Sequence, residues 1–573
     1  MAVKDIVVRI AGEGGEGVIS CGHILGQAAA QASLEVFTFR TFPAEIKGGL
    51  AMIQVRLSVE PVHSLGQDAD LLVAFNQDAF NVHGKNMSKK GLVLFDPKFV
   101  TVPEDYPVRT YPIEIDEISI QQTGAKRGKN LVALAALVRI FDLPKEMVRE
   151  LAVQKFAKKG KEVLEANLKA FESGFSAIGD DFDFASFQLK PTKTGAKDAV
   201  ISGNQAVALG TIAAGCRYVA GYPITPATSV FEFLMEYLPN LGGTVLQFED
   251  EIASIASCLG ASFAGQKVMT ATSGPGLALM GELINLASMV ELPLVIVDVQ
   301  RGGPSTGLPT KTEQSDLAYA VYGAAGECPR AVIAPTTIED CFYQTVRAFN
   351  IAEEYQMPVI VLTDQSMAMR TKNVPIPDFD AIELKERAKV GPDETEGFMR
   401  FADTPSGVSK TALPGTAGAM FLATGLEHNE IGAPNYTPLM HEKMMAKRFR
   451  KLETLAKQLE SENGTCEFPA GATVGIISWG ATEGPIREAL GFAKADGKKV
   501  AHLQPKVLWP LPKKAIESFI KPLKKVIVFE ENFTGQLATL LRAHFDIEPI
   551  SITKCQGIPF TAEEVYKAIK EHV

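Results

Sequence analysis

Apolar positions along this chain fall in short unbroken runs, separated by stretches in which they recur every third or fourth residue. Runs at Ile6–Ala11, Val36–Phe39, Ala51–Leu57, Leu71–Phe75 and Leu92–Phe95 read as buried strands. The best helix of this first part is Asn130–Ile140, and an amphipathic helical tail covers Lys145–Phe171. Such alternation predicts a mostly parallel sheet with helices on its faces. A polar stretch at Asp180–Lys197, with Pro191 inside it, reads as a linker. From about Ala199 the pattern is most regular. Strands are expected at Tyr218–Ala220, Val245–Phe248, Val268–Ala271, Leu294–Val299 and Val359–Leu362, with helices at Asn204–Ala214, Glu251–Ala264 and Leu277–Met289. Between about Asp378 and Pro469 the periodicity gives way to Gly-, Pro- and Thr-rich text such as Thr411–Thr416 and Gly425–Pro434, with a charged helix at His441–Leu459. Long irregular segments of this kind are usually functional or disordered. A last α/β pattern, Ala472–Val573, carries strands at Val474–Ser478, Val500–Leu503 and Val526–Phe529. The expected organisation is thus α/β throughout: a first domain over 1–180, a linker over 181–198, a second domain over 199–380, an irregular segment with one helix over 381–470, and a last domain over 471–573.

Length and composition narrow the function. At 573 residues the chain exceeds one ordinary domain. Apolar residues make up 46% and charged residues 22%, as in a soluble globular protein. A net charge of −10, and no basic run interleaved with aromatics, argue against a nucleic-acid partner. No stretch has the length and apolarity of a membrane span, and the N-terminal residues lack the features of a signal peptide. The cysteines (Cys21, Cys216, Cys258, Cys328, Cys341, Cys466, Cys555) are scattered with no Cys-x-x-Cys, which points to reduced thiols and a cytoplasmic protein.

Candidate chemistry lies where expected strands end. Gly221-Tyr222-Pro223-Ile224-Thr225-Pro226 follows one, and Gln300-Arg301-Gly302-Gly303-Pro304-Ser305-Thr306 another. Ligands of open α/β sheets sit beyond the carboxyl ends of the strands. A guanidinium there, beside hydroxyls, suits a carboxylate, which it can hold through both oxygens. Glu251 opens a helix after a strand, and alone it reads as a complement to the helix dipole. Ser273-Gly274-Pro275-Gly276 alone is a cap with close backbone approach. Turns carrying Thr225, Glu251 and Ser273 on adjacent strands would converge on one sheet edge, which favours a site. In the first domain Gly12, Gly14 and Gly17 fit the G-x-G-x-x-G spacing, with Gly15 inside it. A tight turn and a phosphate cradle remain equal readings, since Glu13 and Glu16 would repel a pyrophosphate. Lys47, on the loop Pro43–Gly49, would be a phosphate contact in the second reading. Trp509–Pro512 and Glu530-Glu531-Asn532 read as turns and interface.

Tyr222–Pro226, Thr272–Gly276 and Gln300–Thr310 together resemble the signature of the 2-oxoacid:ferredoxin oxidoreductases, and the resemblance covers almost the whole chain. It implies three α/β domains in fused γ-then-α order: an N-terminal γ domain associated with coenzyme A, a thiamine-diphosphate pyrimidine-type domain, and a transketolase C-terminal-like domain. Carried over residue by residue, it assigns Tyr222, Pro223, Ile224, Glu251, Ser273 and Gly274 to thiamine diphosphate. Glu251 is the carboxylate that hydrogen-bonds the aminopyrimidine. Arg301 and Thr306 hold the 2-oxoacid carboxylate, and Thr225 lies over cofactor and substrate. Gly12, Gly14, Gly15, Gly17 and Lys47 are assigned to coenzyme A, although Glu16 and Lys47 stand where many relatives have Gln and Arg.

The chain lacks the Gly-Asp-Gly…Asn motif that anchors Mg²⁺ and the diphosphate, and it lacks a cysteine set for [4Fe–4S]. The resemblance therefore implies a separate β subunit carrying both, no metal ligands in this chain, a dimer of α–β heterodimers, and ferredoxin as electron partner. The segment Thr424–Glu430 resembles the 2-oxoglutarate class. A second, distal substrate carboxylate should meet a cation or several donors, and Lys410, His428 and Lys311 are the candidates. The expected reaction is CoA-dependent oxidative decarboxylation of 2-oxoglutarate to succinyl-CoA and CO₂, with reverse carboxylation open to it. The alternatives are the same reaction on pyruvate or a broad or branched range of 2-oxoacids, a ferredoxin-independent thiamine decarboxylase, and a non-catalytic nucleotide- or acyl-CoA-binding protein.

Overall fold

A computed structural model describes residues 3–43, 48–156, 160–191, 198–460 and 464–573. Its contacts divide the chain into two units: Met1–Ser202 with Met369–Ile376 and Thr561–Glu564, and Gly203–Ala368 with Pro377–Phe560 and Val565–Val573. Among the described residues no helix is long and apolar enough to cross a membrane.

The first unit is built on an eight-stranded sheet in the order Arg109–Pro112, Met87–Phe95, Ala69–Ala74, Asp5–Glu13, Leu50–Ser58, Glu35–Thr41, Thr371–Pro375, Asp198–Ser202. Only the ladders among its first four strands are parallel. The remaining ladders are antiparallel, which corrects the expectation of a mostly parallel sheet. The cause is the short connection from Thr41 to Leu50, since a parallel pair needs a crossover of a dozen or more residues. Helices Val18–Gln31 and Lys129–Phe141 bury Leu25, Ala28, Leu134 and Leu137 in the core against Ile10 and Ile53. The amphipathic tail is two helices, Lys145–Phe156 and Lys161–Ser176, the second entered through Gly160 at φ 98°.

Asp198–Ser202 and Thr371–Pro375 pair with each other in this sheet, where the sequence reading ends its linker at 198 and places 199–380 in a second domain. Thr371 is held by Thr38, hydroxyl to hydroxyl at 2.9 Å, and Asn373 Oδ1 accepts from the Val36 amide at 2.9 Å. These partners are far apart in sequence, so no local pattern announces them.

The second unit holds a seven-stranded sheet in the order Val507–Trp509, Ala331–Ile333, Pro358–Asp364, Leu294–Gln300, Val268–Thr272, Tyr218–Gly221, Thr244–Gln247. All its ladders are parallel except the edge pair Val507–Trp509 with Ala331–Ile333. A five-stranded sheet follows, with Val474–Ser478 at its centre. Leu294, Ile296, Trp479, Leu503, Leu508 and Val528 belong to one apolar core shared by the two sheets. The buried Glu530 accepts from the Leu537 and Ala538 amides at 2.7 and 3.0 Å, so this acidic turn caps the helix Gln536–His544, as its structural reading expected.

The irregular segment is fixed by buried charge. Arg387 Nη2 meets Glu353 at 2.6 Å, Lys447 Nζ reaches both Glu291 oxygens at 2.7 Å, and Lys451 also pairs with Glu291. The carboxyl of Glu291 lies far below its ordinary range: burial pushes it up, and Lys451, Lys447 and Arg400 together outweigh that.

Candidate active site

Four neighbouring parallel strands of the seven-stranded sheet end at one edge: Leu294–Gln300, Val268–Thr272, Tyr218–Gly221 and Thr244–Gln247. Their carboxyl ends deliver Arg301, Ser273, Tyr222–Thr225 and Glu251, the convergence that the turn motifs predicted. Tyr222 and Pro223 are exposed, and Ile224 and Thr225 are half-buried. Arg301, only 7% exposed, donates through Nη1 to the Thr225 carbonyl at 2.6 Å, so the two substrate candidates are joined directly. Arg301 Nε has no acceptor. Asn204, which sequence reasoning missed, fixes the same turn by donating through Nδ2 to the Pro226 carbonyl at 2.9 Å and to Ser229 Oγ at 2.8 Å. An asparagine at a helix start carries no signal of that role.

Glu251 is the first residue of the helix Glu251–Phe263, whose N-cap Asp250 accepts from the Ala253 amide at 2.6 Å. With Asp250 serving that first turn, the buried Glu251 carboxylate packs on the next turn. A Cβ added at Gly276 would lie 2.7 Å from Glu251 Oε1 and 2.0 Å from Thr272 Oγ1. Only glycine fits there, so the turn closes directly on the Glu251 and Thr272 side chains. Ser273 is fully buried and its Oγ has no partner. An orphan hydroxyl, a carboxylate and a side-chain-free turn fit the pyrimidine half of thiamine diphosphate.

Thr306 is exposed on a loop closed by Leu308 N donating to Gly302 O at 2.7 Å and Gly302 N donating to Lys311 O at 3.0 Å. It makes no side-chain hydrogen bond to Arg301. Lys311 stands on the same loop, half-buried, and its ammonium has no ion-pair partner among the described residues. Burial lowers its pKa.

Lys410 and His428 are not brought to this edge. Lys410 is a surface residue paired with Glu394. His428 is wholly buried, its Nδ1 3.0 Å from the Leu426 carbonyl and its ring 4.2 Å from that of Phe401. Burial lowers its pKa and so disfavours the cation that a carboxylate would need. Both lie by Ser409 and Arg400, and Arg400 donates to the Glu291 carbonyl, before the strand Leu294–Gln300 begins. At roughly 3.3 Å per residue, that seven-residue strand separates them from Arg301 by about 20 Å.

In the first unit, the strand Asp5–Glu13 leads through Gly14–Gly17 into the helix Val18–Gln31, with Gly17 as N-cap at φ 82°. Gly14 N donates to Gly49 O at 2.9 Å, and Gly15 is exposed with open space at its face. A Cβ at Gly12 would lie 2.6 Å from Glu16 Oε2. Glu16 accepts from the Glu13 amide at 2.8 Å and is paired with Lys129. The turn is therefore less repulsive to a phosphate than its two glutamates suggested. Lys129 lies far along the chain, so sequence spacing could not supply it. Lys47 lies outside the described residues.

With fold and geometry in hand, the kinship is clear. Residues 7–177 match a family model described as pyruvate ferredoxin/flavodoxin oxidoreductase. Residues 209–448 match the thiamine diphosphate-binding model of pyruvate flavodoxin/ferredoxin oxidoreductase, and residues 472–565 match core domain II of pyruvate:ferredoxin oxidoreductase. The 2-oxoglutarate oxidoreductase subunit KorA of Mycobacterium tuberculosis is 33% identical over 99% of this chain and 91% of its own length. Subunit alpha of 2-oxoacid:ferredoxin oxidoreductase 2 from Aeropyrum pernix is 30% identical over 99% and 97%. A solved 2-oxoglutarate:ferredoxin oxidoreductase from Magnetococcus marinus, with 2-oxoglutarate, coenzyme A and succinyl-CoA bound, superposes with a TM-score of 0.92 at 44% identity, covering 99% of each chain. The chain belongs to the 2-oxoacid:ferredoxin oxidoreductase family, and relatives that it matches over nearly their whole length are named as alpha subunits of such enzymes.

Proposed function

We propose that this chain is the catalytic α-type subunit of a 2-oxoglutarate:ferredoxin oxidoreductase, converting 2-oxoglutarate and CoA to succinyl-CoA and CO₂ with electrons passed to ferredoxin. The observation that carries the reading is the shared sheet edge, where Arg301 is bonded to Thr225 and Glu251 lies against Gly276. The near-complete likeness to a relative solved with 2-oxoglutarate and CoA supports the choice of substrate.

When bound, thiamine diphosphate supplies a nucleophilic thiazolium carbon and an electron sink for decarboxylation. Tyr222, Pro223, Ile224, Ser273 and Gly274 would border it. Glu251 would accept a hydrogen bond from the aminopyrimidine ring and so support the proton shift that activates the cofactor. Arg301 and Thr306 bind the 2-oxoacid carboxylate, and the Thr225 carbonyl fixes the guanidinium's direction. Holding the leaving carboxylate out of the carbonyl plane is an orientation effect able to lower a barrier by several kcal/mol. Of the cations considered for the distal carboxylate, Lys311 alone shares the loop of Arg301, and we assign it that role. Gly12, Gly14, Gly15 and Gly17 would cradle a phosphate of CoA, with Lys47 as its cation. Mg²⁺, the diphosphate contacts and a [4Fe–4S] cluster fall to a β subunit, in a cytoplasmic dimer of α–β heterodimers.

Co-expression with the β subunit should give a brown complex that reduces ferredoxin only when 2-oxoglutarate, CoA and thiamine diphosphate are all present. Turnover by this chain alone with thiamine diphosphate would overturn the two-subunit reading.

A further inference from the structure

Asp298 interrupts the apolar strand Leu294–Gln300, three residues before Arg301. It is fully buried, and neither carboxyl oxygen receives a hydrogen bond from an N–H or hydroxyl group. Asp316 Oδ2 is likewise buried without a partner among the described residues, and its backbone amide is tied to Gln300, on the same face of the strand as Asp298. Two neighbouring buried carboxyl groups that lack donors disfavour double ionisation, so one holds a proton. Asp316 also backs the cofactor turn, since a Cβ at Gly274 would lie 2.7 Å from its Oδ2 and 3.0 Å from its Oδ1. Its position is set by its own amide, which donates to Gln300 Oε1 at 3.0 Å. The buried Arg301, three residues after Asp298, has an Nε with no acceptor among the described residues. Thr270 Oγ1 and Ser273 Oγ, both buried on the neighbouring strand and its turn, are also unpartnered.

We propose that Asp298 and Asp316 form a proton-holding pair that acts as counter-ion to Arg301 and frees it for the 2-oxoacid carboxylate by taking up one proton as substrate binds. This rests on Arg301 being the carboxylate site. With one shared proton the pair carries one negative charge and offsets the guanidinium. With two protons it is neutral, and the positive charge of Arg301 is available to an incoming anion. Solvent supplies the proton, and no bond to carbon changes. Both aspartates are positioning residues.

The charges around the pair give the direction of the linkage. Asp298 is raised well above the carboxylate range by burial first and then by the charge of Asp316, while Arg301 opposes both. Asp316 is pushed up to about 6 by burial first; Glu313 raises it further, whereas the hydrogen bond from Asp298 and the charge of Arg301 lower it. A substrate anion at Arg301 adds negative charge and raises the pair's proton affinity again. Binding is therefore accompanied by proton uptake above about pH 6, and affinity falls as pH rises through that value.

The test uses the complete enzyme with its β subunit. The 2-oxoglutarate KM is measured from pH 5.5 to 8.5, together with proton uptake on binding by calorimetry in buffers of different ionisation enthalpy. Wild type should show KM rising by up to about tenfold per unit above pH 6, the limit for one linked proton, with uptake approaching one proton. The double variant Asp298→Asn, Asp316→Asn should keep KM at the low-pH value throughout and take up no proton. If that variant does not assemble, Asp316→Asn alone should hold KM near the low-pH value and abolish proton uptake, because Asp298, raised by burial first, keeps its proton and the second titrating carboxyl is gone. Wild-type slope and wild-type proton uptake in these variants overturn the proposal. Arg301→Lys separates the claims. An unchanged 2-oxoglutarate KM there overturns the assignment of Arg301 and the pair with it. A raised KM there, alongside an unaltered pH slope in the aspartate variants, overturns the pair alone.

Discussion

At the scale of single residues, Glu251 bears the greatest chemical demand. Replacing it with Gln keeps shape and hydrogen-bonding capacity but removes the negative charge that, in the proposed function, would favour proton movement on the aminopyrimidine. Glu251→Gln should lower kcat by about 100-fold or more, in line with loss of positioned acid–base assistance, with thermal stability unchanged. Near-wild-type kcat at saturating cofactor would return Glu251 to a helix-dipole role. Lys311→Ala should raise the KM for 2-oxoglutarate by about tenfold, the effect of ~1.4 kcal/mol of lost charge pairing, and leave that for pyruvate unchanged. Equal effects on both substrates would place Lys311 outside the distal site. That Thr225, Glu251, Ser273 and Arg301 meet at one sheet edge was legible because each follows a strand in a turn motif. Asp298 was missed although its signal was present, a carboxylate inside a run otherwise apolar from Leu294 to Val299. Lys410 and His428 misled because their nearness to the site rested on their segment, and the long strand Leu294–Gln300 carries that segment's contacts to the opposite end of the sheet.

Elements were read well where a pattern is local and poorly where a partner is remote. Val474–Ser478 was found to the residue, because a fully buried strand is apolar from end to end. The helix expected over Leu277–Met289 is instead two, Gly274–Leu279 and Gly281–Met289. Its first turn is drawn back over Gly274-Pro275-Gly276, and this short turn lies against Glu251 and Asp316. Gly276→Ala should therefore empty the cofactor site, measured as thiamine diphosphate retained by the purified complex, with little change in helix content by circular dichroism. Full retention would show that the turn yields. In the irregular segment, composition hid a buried anchor. Glu291→Gln would leave Lys447 and Lys451 inside without their shared counter-ion, which should cost about 3–5 kcal/mol of stability and show as a large fall in Tm. A change within about 0.5 kcal/mol would mean that the lysines lose their charge or reach water without it.

At the scale of the whole molecule, the sheet edge assembled by this chain brings together Arg301, Thr225, Ser273 and Glu251. The sequence offers no diphosphate–Mg²⁺ motif and no cysteine set for an electron-carrying cluster. In the proposed function, organic-acid recognition would fall to this subunit and electron transfer to a partner. The α/β alternation was legible from the periods, whereas the exchange of Asp198–Ser202 and Thr371–Pro375 into the first sheet was not. The most direct test is kcat/KM of the complete enzyme for 2-oxoglutarate, pyruvate and 2-oxoisovalerate, followed as CoA-dependent ferredoxin reduction. The account predicts a preference for 2-oxoglutarate of about tenfold or more, the factor set by ~1.4 kcal/mol from one distal ion pair. A preference for pyruvate or 2-oxoisovalerate, or ferredoxin reduction that does not require CoA, would contradict it.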